Sequence, residues 1–181
     1  MLRVVLDASS LVSYALTRGE LMRQTVAHWR AGTIVVLSSP AMRAELADVL
    51  ARPAIRQLAI VPLDELAAGL ERFSEHVPGD LELTGACRDP KDDKYLSCAV
   101  RGQAHYLISS DRDLLDMLHY RGVAIVNPGQ FLLALELHAA DEKALTDRFS
   151  HEVLADIQRT IPLDPVAADN LARALGVEDN T

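Results

Sequence analysis

Short apolar runs, rich in β-branched residues, alternate along the first 138 residues with longer segments in which apolar residues recur at helical spacing. The runs at 2–7, 33–38, 105–109 and 123–126 predict buried strands. Strands that alternate with helices favour a mainly parallel sheet with helices on both faces. The predicted fold class is therefore α/β: a three-layer sandwich around a mainly parallel central sheet.

The helix boundaries are marked by local signals. A capping residue followed by proline begins three of the predicted helices, at Ser39–Pro40, Asp89–Pro90 and Asn127–Pro128. The predicted helices cover residues 10–17, 20–31, 40–50, 63–76, 90–102, 111–119 and 128–138, and residues 81–83 are predicted as a short strand.

Residues 139–181 have no strand pattern and predict two helices, at 141–159 and 165–175. We therefore predict a domain over 1–138 and a helical C-terminal extension over 139–181. The first helix of the extension carries an apolar stripe at four-residue spacing, which must pack against another surface. Packing on the chain's own domain is favoured over a subunit interface, and the third alternative is that the acidic extension shields the RNA-binding edge. The stripe consists of Leu145, Phe149, Val153 and Ile157.

The net charge of −8 argues at first against a nucleic-acid partner. The charge is uneven, however, because residues 141–181 contain nine acids and four bases, whereas residues 1–140 contain 17 acids and 14 bases. Four acids of the longer part are candidate site residues, whose charge a bound cation would neutralise. An RNA substrate is therefore not excluded.

Composition also limits the location of the chain. No stretch reaches the roughly 20 consecutive apolar residues of a membrane-spanning helix. Residues 1–6 run straight into a strand pattern and lack the features of a signal peptide. We expect a cytoplasmic protein with no membrane partner. Cys87 and Cys98 lack metal-ligand spacing and the six histidines are scattered, so a zinc site is not expected.

Four acids stand out by their position: Asp7 and Asp111 follow predicted strands, and Glu45 and Asp93 lie on predicted helices beside apolar neighbours. Singly, each has a simpler explanation as a helix cap, a first-turn acid or a surface residue. Together they should meet at one edge of the sheet, where α/β proteins bind ligands. Such oxygen ligands select Mg²⁺ or Mn²⁺, and without a cation they raise one another's pKa.

Five runs of the sequence, in this order, resemble the PIN-domain family and in particular its toxin-component branch, the VapC-like ribonucleases. The runs are VVLDASSLVSYAL (4–16), SSPAMRAELADVLARP (38–53), RDPKDDKYLSCAV (88–100), YLISSDRDLL (106–115) and VAIVNPGQFL (123–132). The resemblance puts the family's catalytic, metal-binding acids at Asp7, Glu45, Asp93 and Asp111. Asp93 is preferred to Asp92 because family members place the acid three residues before a leucine and six before an alanine, here Leu96 and Ala99.

The resemblance implies an endoribonuclease in which one or two Mg²⁺ or Mn²⁺ ions activate a water for attack on an RNA phosphodiester. Ser9 and Ser109 would orient the ligands, although many relatives have asparagine and threonine there, and Asp113 would be a supporting carboxylate. The residues expected to hold RNA phosphates are Arg112, Lys94, Lys91 and Arg88. A cognate antitoxin and a homodimer are the further partners implied.

Two other functions compete with this interpretation. The first is a catalytically weak module of the same fold, which binds or assembles instead of cleaving. The second is a phosphatase of the haloacid-dehalogenase type, which also has an acid after its first strand. That class needs a second aspartate two residues later, and here the residue is Ser9.

Overall fold

The computed structural model describes residues 1–78, 83 and 85–160. The strands are β1 (Leu2–Leu6), β2 (Ile34–Ser38), β3 (Glu75–His76), β4 (Tyr106–Ile108), β5 (His119–Tyr120) and β6 (Val123–Val126). The helices are α1 (Ala8–Thr17), α2 (Glu20–Arg30), α3 (Pro40–Leu50), α4 (Pro53–Leu58), α5 (Leu63–Phe73), α6 (Asp93–Arg101), α7 (Arg112–Leu115) and α8 (Pro128–Thr160). A turn of 3₁₀ helix at Pro90–Asp92 precedes α6.

The strands form one six-stranded sheet in the order β3-β2-β1-β4-β6-β5. Every neighbouring pair is parallel except β5 and β6, which are antiparallel. In the central strand β1, the consecutive residues Val4, Val5 and Leu6 are all buried. Because successive side chains of a strand point to opposite faces, both faces of the sheet are covered there. The prediction of a mainly parallel α/β fold is confirmed.

Two predicted helices end earlier than expected because strands follow them. The helix predicted over 63–76 stops at Phe73, and Glu75–His76 pairs with β2 as an edge strand. The helix predicted over 111–119 keeps only Arg112–Leu115. His119–Tyr120 turns back along β6 through Arg121 and Gly122, both with positive φ, as a two-residue hairpin turn requires.

Three further differences concern helix boundaries. Pro53 starts the short helix α4, which was not predicted, because proline is well suited to a first helical position. The helix predicted over 90–102 divides into the 3₁₀ turn and α6. The helix that begins at Pro128 continues to Thr160, so the predicted interruption between 138 and 141 is absent.

The chain divides into two compact units, Met1–Leu133 and Ala134–Thr181. The helix predicted at 165–175 lies outside the described residues, as do residues 81 and 82 of the predicted strand. Within the described part of the chain, no helix is long and apolar enough to cross a membrane.

Candidate active site

The site lies at the carboxyl ends of the central strands β1 and β4. The N–H of Asp7, just after β1, donates to the carbonyl of Ile108 at the end of β4, at 3.1 Å. This bond extends the parallel pairing by one residue and places Asp7 beside Ser109. The predicted edge of the sheet therefore carries Asp7 and, two residues after Ser109, Asp111.

Asp7 is 2% exposed, and its carboxylate accepts three hydrogen bonds. Its Oδ1 accepts from the N–H of Ser10 at 2.8 Å, which caps α1. Its Oδ2 accepts from the hydroxyls of Ser9 at 2.6 Å and Ser109 at 2.5 Å. Burial raises the pKa of Asp7, against the lowering effect of the hydrogen bonds from Ser109 and Ser9. The two serines fix the orientation of this carboxylate.

Asp111 is exposed and caps the short helix α7, with Oδ1 accepting from the N–H of Asp113 at 2.7 Å. Its own N–H donates to the Ser109 hydroxyl at 2.9 Å. The same hydroxyl donates to Asp7, so Ser109 links the two strand-end acids directly.

Asp93 is buried and accepts three backbone N–H groups from the segment before it. Its Oδ1 accepts from Cys87 at 2.8 Å, and its Oδ2 accepts from Gly85 at 2.9 Å and from Ala86 at 3.4 Å. These bonds hold the Asp93 carboxylate against the loop of residues 85–87 and stabilise that loop.

Asp92, one residue earlier, has a different environment. It is half-buried, and its pKa is raised to about 6. Burial is the largest cause, followed by the negative charges of Asp111 and Asp89, while Lys94 acts in the opposite direction and Asp7 adds a smaller increase. The structure thus brings Asp92 into the electrostatic field of Asp7 and Asp111.

Glu45 joins this region through Tyr95. Its Oε2 accepts a short hydrogen bond from the Tyr95 hydroxyl and lies 2.9 Å from Nζ of Lys94. The Tyr95 oxygen in turn accepts from the N–H of Ala8, at 3.1 Å. Burial, then the bond to Glu45, raises the pKa of Tyr95 above its usual range. Glu45 is therefore connected to α1 next to Asp7.

Two of the four basic residues expected to hold phosphates have carboxylate partners. Arg88 contacts Asp113 at 2.8 Å and Asp116 at 3.7 Å, and Lys94 contacts Glu45. The Arg88 side chain is still 71% exposed, so its ion pairs are open to solvent. The other two, Lys91 and Arg112, are exposed.

Among the residues that the structure describes, no group of three or more His, Cys, Asp or Glu side chains is gathered closely enough to hold a metal ion. The donor chemistry of Asp7, Asp92 and Asp111 nevertheless suits a hard divalent cation, because all the ligand atoms are carboxylate oxygens. Burial is the main cause of the raised pKa of Asp92, and a cation would relieve the smaller part that comes from the neighbouring carboxylates.

A family model described as PIN domain matches residues 3–113. The chain belongs to the PIN-domain family. The match extends from β1 into α7 and includes every acid of the site. PIN domains are generally nucleases, so the coarse activity is hydrolysis of nucleic-acid phosphodiester bonds. A search of curated proteins found no match to this PIN domain.

Two residues of the PIN-domain site were not singled out from the sequence. The spacing to Leu96 and Ala99 favours Asp93 over Asp92, and Tyr95 is not among the predicted site residues. The signal for Asp92 was its place directly before Asp93. Tyr95 carries no sequence signal, because its role depends on contacts with residues 8 and 45.

Proposed function

We propose that this PIN domain is a Mg²⁺- or Mn²⁺-dependent endoribonuclease in which Asp7, Asp92 and Asp111 hold the cation. The observation that supports this best is the buried, three-fold hydrogen-bonded carboxylate of Asp7, linked through Ser109 to Asp111. Burying a carboxylate costs free energy, and buried acids with a shifted pKa are concentrated at sites of binding or catalysis. Asp92 is the third carboxylate, and the negative charges of Asp7 and Asp111 act on it.

A bound divalent cation would supply a water of lowered pKa and screen the charge on the leaving oxygen. Side chains of the protein fix the geometry of the site before a cation binds. Ser9 and Ser109 hold Asp7 in one orientation, so little reorganisation accompanies the reaction. Exposed Lys91 and Arg112 lie in sequence beside Asp92 and Asp111, where they would contact phosphates of the RNA backbone.

Asp93 has a supporting part in this proposal, in place of the metal-binding part assigned from its sequence spacing. By accepting the N–H groups of residues 85–87, it holds the segment that leads into Asp92. Glu45 stays close to the site, with its Oε2 bound by Tyr95 and Lys94, and would act on the cation through water. Asp113 acts through its ion pair with Arg88.

We further propose that the chain is the toxin of a toxin–antitoxin pair, acting in the cytoplasm as a homodimer. A groove with a volume of about 310 Å³ lies between α1, α2 and α5. Trp29, Leu66 and Phe73 line its apolar part. Its charged lining residues are two bases and one acid, Arg18, Arg30 and Glu65, so the groove is positive by one charge. Phe73 is 70% exposed, an uncovered apolar side chain that suits an amphipathic, acidic segment of an antitoxin. Co-expression with the product of the neighbouring reading frame tests this, and failure to co-purify argues against it.

The nuclease proposal is tested with purified protein and end-labelled RNA in Mg²⁺, Mn²⁺ or EDTA. We expect metal-dependent cleavage that leaves 5′-phosphate and 3′-hydroxyl ends. Asp7→Asn and Asp92→Asn should abolish it. The matched control is Asp48→Asn, which removes an exposed acid from α3 and should cleave normally. Metal-dependent RNA binding without cleavage would instead support the binding-module alternative.

A further inference from the structure

The hydroxyl of Tyr95 lies where three elements of the site meet. The buried ring belongs to α6, and its oxygen accepts the N–H of Ala8, the first residue of α1, at 3.1 Å. The hydroxyl also donates to Oε2 of Glu45 on α3. Because a backbone N–H can only donate, the tyrosine proton is directed at Glu45. The two hydrogen bonds therefore run in one direction, from the N–H of Ala8 on α1 through the Tyr95 hydroxyl to the Glu45 carboxylate on α3.

A second donor contacts the same carboxylate of Glu45. Nζ of Lys94 lies 2.9 Å from the same Oε2 that Tyr95 contacts, so two donors converge on one oxygen. The Lys94 ammonium also lies over the Tyr95 ring, 5.2 Å from its centroid. Adjacent residues of α6 thus hold Glu45 from two directions, two and three positions after Asp92.

We propose that Tyr95 is the positioning residue of Glu45, holding the glutamate carboxylate at a fixed place relative to Asp7; this inference rests on the proposed nuclease function. Ala8 directly follows Asp7, so one hydroxyl ties the glutamate to the segment that carries the buried acid. Loss of an outer partner that orients a site carboxylate typically costs ~10–100-fold in metal affinity or activity.

A purely structural role for the hydroxyl makes a different prediction. The first N–H groups of a helix have no partner within it, and Tyr95 satisfies the one at Ala8. If that were its whole role, removing the hydroxyl would lower the melting temperature and change nothing else. Positioning of Glu45 must also affect the metal and the reaction.

The test compares Tyr95→Phe with Tyr120→Phe, which removes a hydroxyl from the edge strand β5. Calorimetry measures Mn²⁺ affinity, RNA cleavage at saturating Mn²⁺ gives kcat, and thermal unfolding gives stability. We expect Tyr95→Phe to lower Mn²⁺ affinity or kcat by ~10–100-fold. Tyr120→Phe should match the wild type in both.

A double-mutant cycle with Glu45→Gln shows whether Tyr95 acts through the glutamate. The effect of Tyr95→Phe should largely disappear in the Glu45→Gln background. An equal loss in both backgrounds overturns the inference, as does a lowered melting temperature with Mn²⁺ affinity and kcat unchanged. A wild-type protein that neither binds Mn²⁺ nor cleaves RNA refutes the proposed function itself, and the inference with it.

Discussion

Neutralising Asp92 and neutralising Asp93 should change the stability of the metal-free protein in opposite directions. The folded state raises the pKa of Asp92 from 3.8 to about 6. Each pKa unit corresponds to about 1.4 kcal/mol, so the shift would be worth about 3 kcal/mol for a fully buried group. Asp92 is half-buried, and solvent screening reduces the figure to about 1–2 kcal/mol.

The sign of the pH dependence follows from the direction of this shift. The fold disfavours the charged form of Asp92, so the contribution of Asp92 to the free energy of unfolding falls as pH rises from about 4 to about 6 and stays lower above that range. Asp92→Asn removes the charge and with it this decline. The variant should therefore be more stable than the wild type by about 1–2 kcal/mol at pH 7.5, and nearly equal to it below pH 4.

Asp93→Asn is the matched control, because it changes the same atoms one residue further along. The buried carboxylate accepts N–H groups from Cys87, Gly85 and Ala86 on its two oxygens. Asparagine offers one oxygen and turns an NH₂ group toward the remaining donors. We expect a loss of about 2–4 kcal/mol, since buried donors are left without an acceptor.

Urea and thermal unfolding in EDTA, from pH 4 to pH 8, measure both effects. Adding Mn²⁺ should then stabilise the wild type more than Asp92→Asn, because only the wild type keeps the full set of carboxylates. The reasoning is refuted if Asp92→Asn destabilises the protein at pH 7.5 or if Asp93→Asn is tolerated without loss.

Three substitutions test other parts of the structure. Gly69→Ala, in α5 where an added Cβ meets no atom within 4 Å, should raise the free energy of unfolding by about 0.5–1 kcal/mol; a lower urea midpoint would contradict this. Gly102→Ala places a Cβ 2.6 Å from Cδ1 of Leu37 and should cost about 1–3 kcal/mol in the same assay; an unchanged midpoint would contradict it. Ser109→Ala removes a hydrogen bond that lowers the pKa of Asp7, so the acid limb of the pH profile for RNA cleavage should move to higher pH; an unmoved limb would count against Asp7 as a group whose ionisation is needed.

The elements that position the site could be predicted from the sequence because their signals are local. Apolar runs located β1, β4 and β6, and a cap followed by proline located the start of α3. The edge strands β3 and β5 could not be located in the same way. Each has only two residues, and what makes it a strand is pairing with β2 or β6. The sequence of a two-residue segment does not show which other strand it pairs with.

The choice between Asp92 and Asp93 shows a second limit. The spacing to Leu96 and Ala99 is taken from the family pattern, and Asp93, Leu96 and Ala99 all lie on α6. That spacing does not report which groups bind the Asp93 carboxylate. The three amides that bind Asp93 come from the preceding loop, and no helical periodicity reports on them.

One acid at the end of a strand can serve both as a helix cap and as a site carboxylate. Asp7 caps α1 with Oδ1, and Asp111 caps α7 with Oδ1. A cap fixes the direction of the side chain, so it prepares the carboxylate for a ligand at little further entropic cost. Asparagine caps a helix about as well as aspartate, but it carries no charge. Asp7→Asn therefore keeps the cap and removes the charge, whereas alanine would remove both. For this reason, only the amide variants can separate the chemistry of these residues from their part in folding.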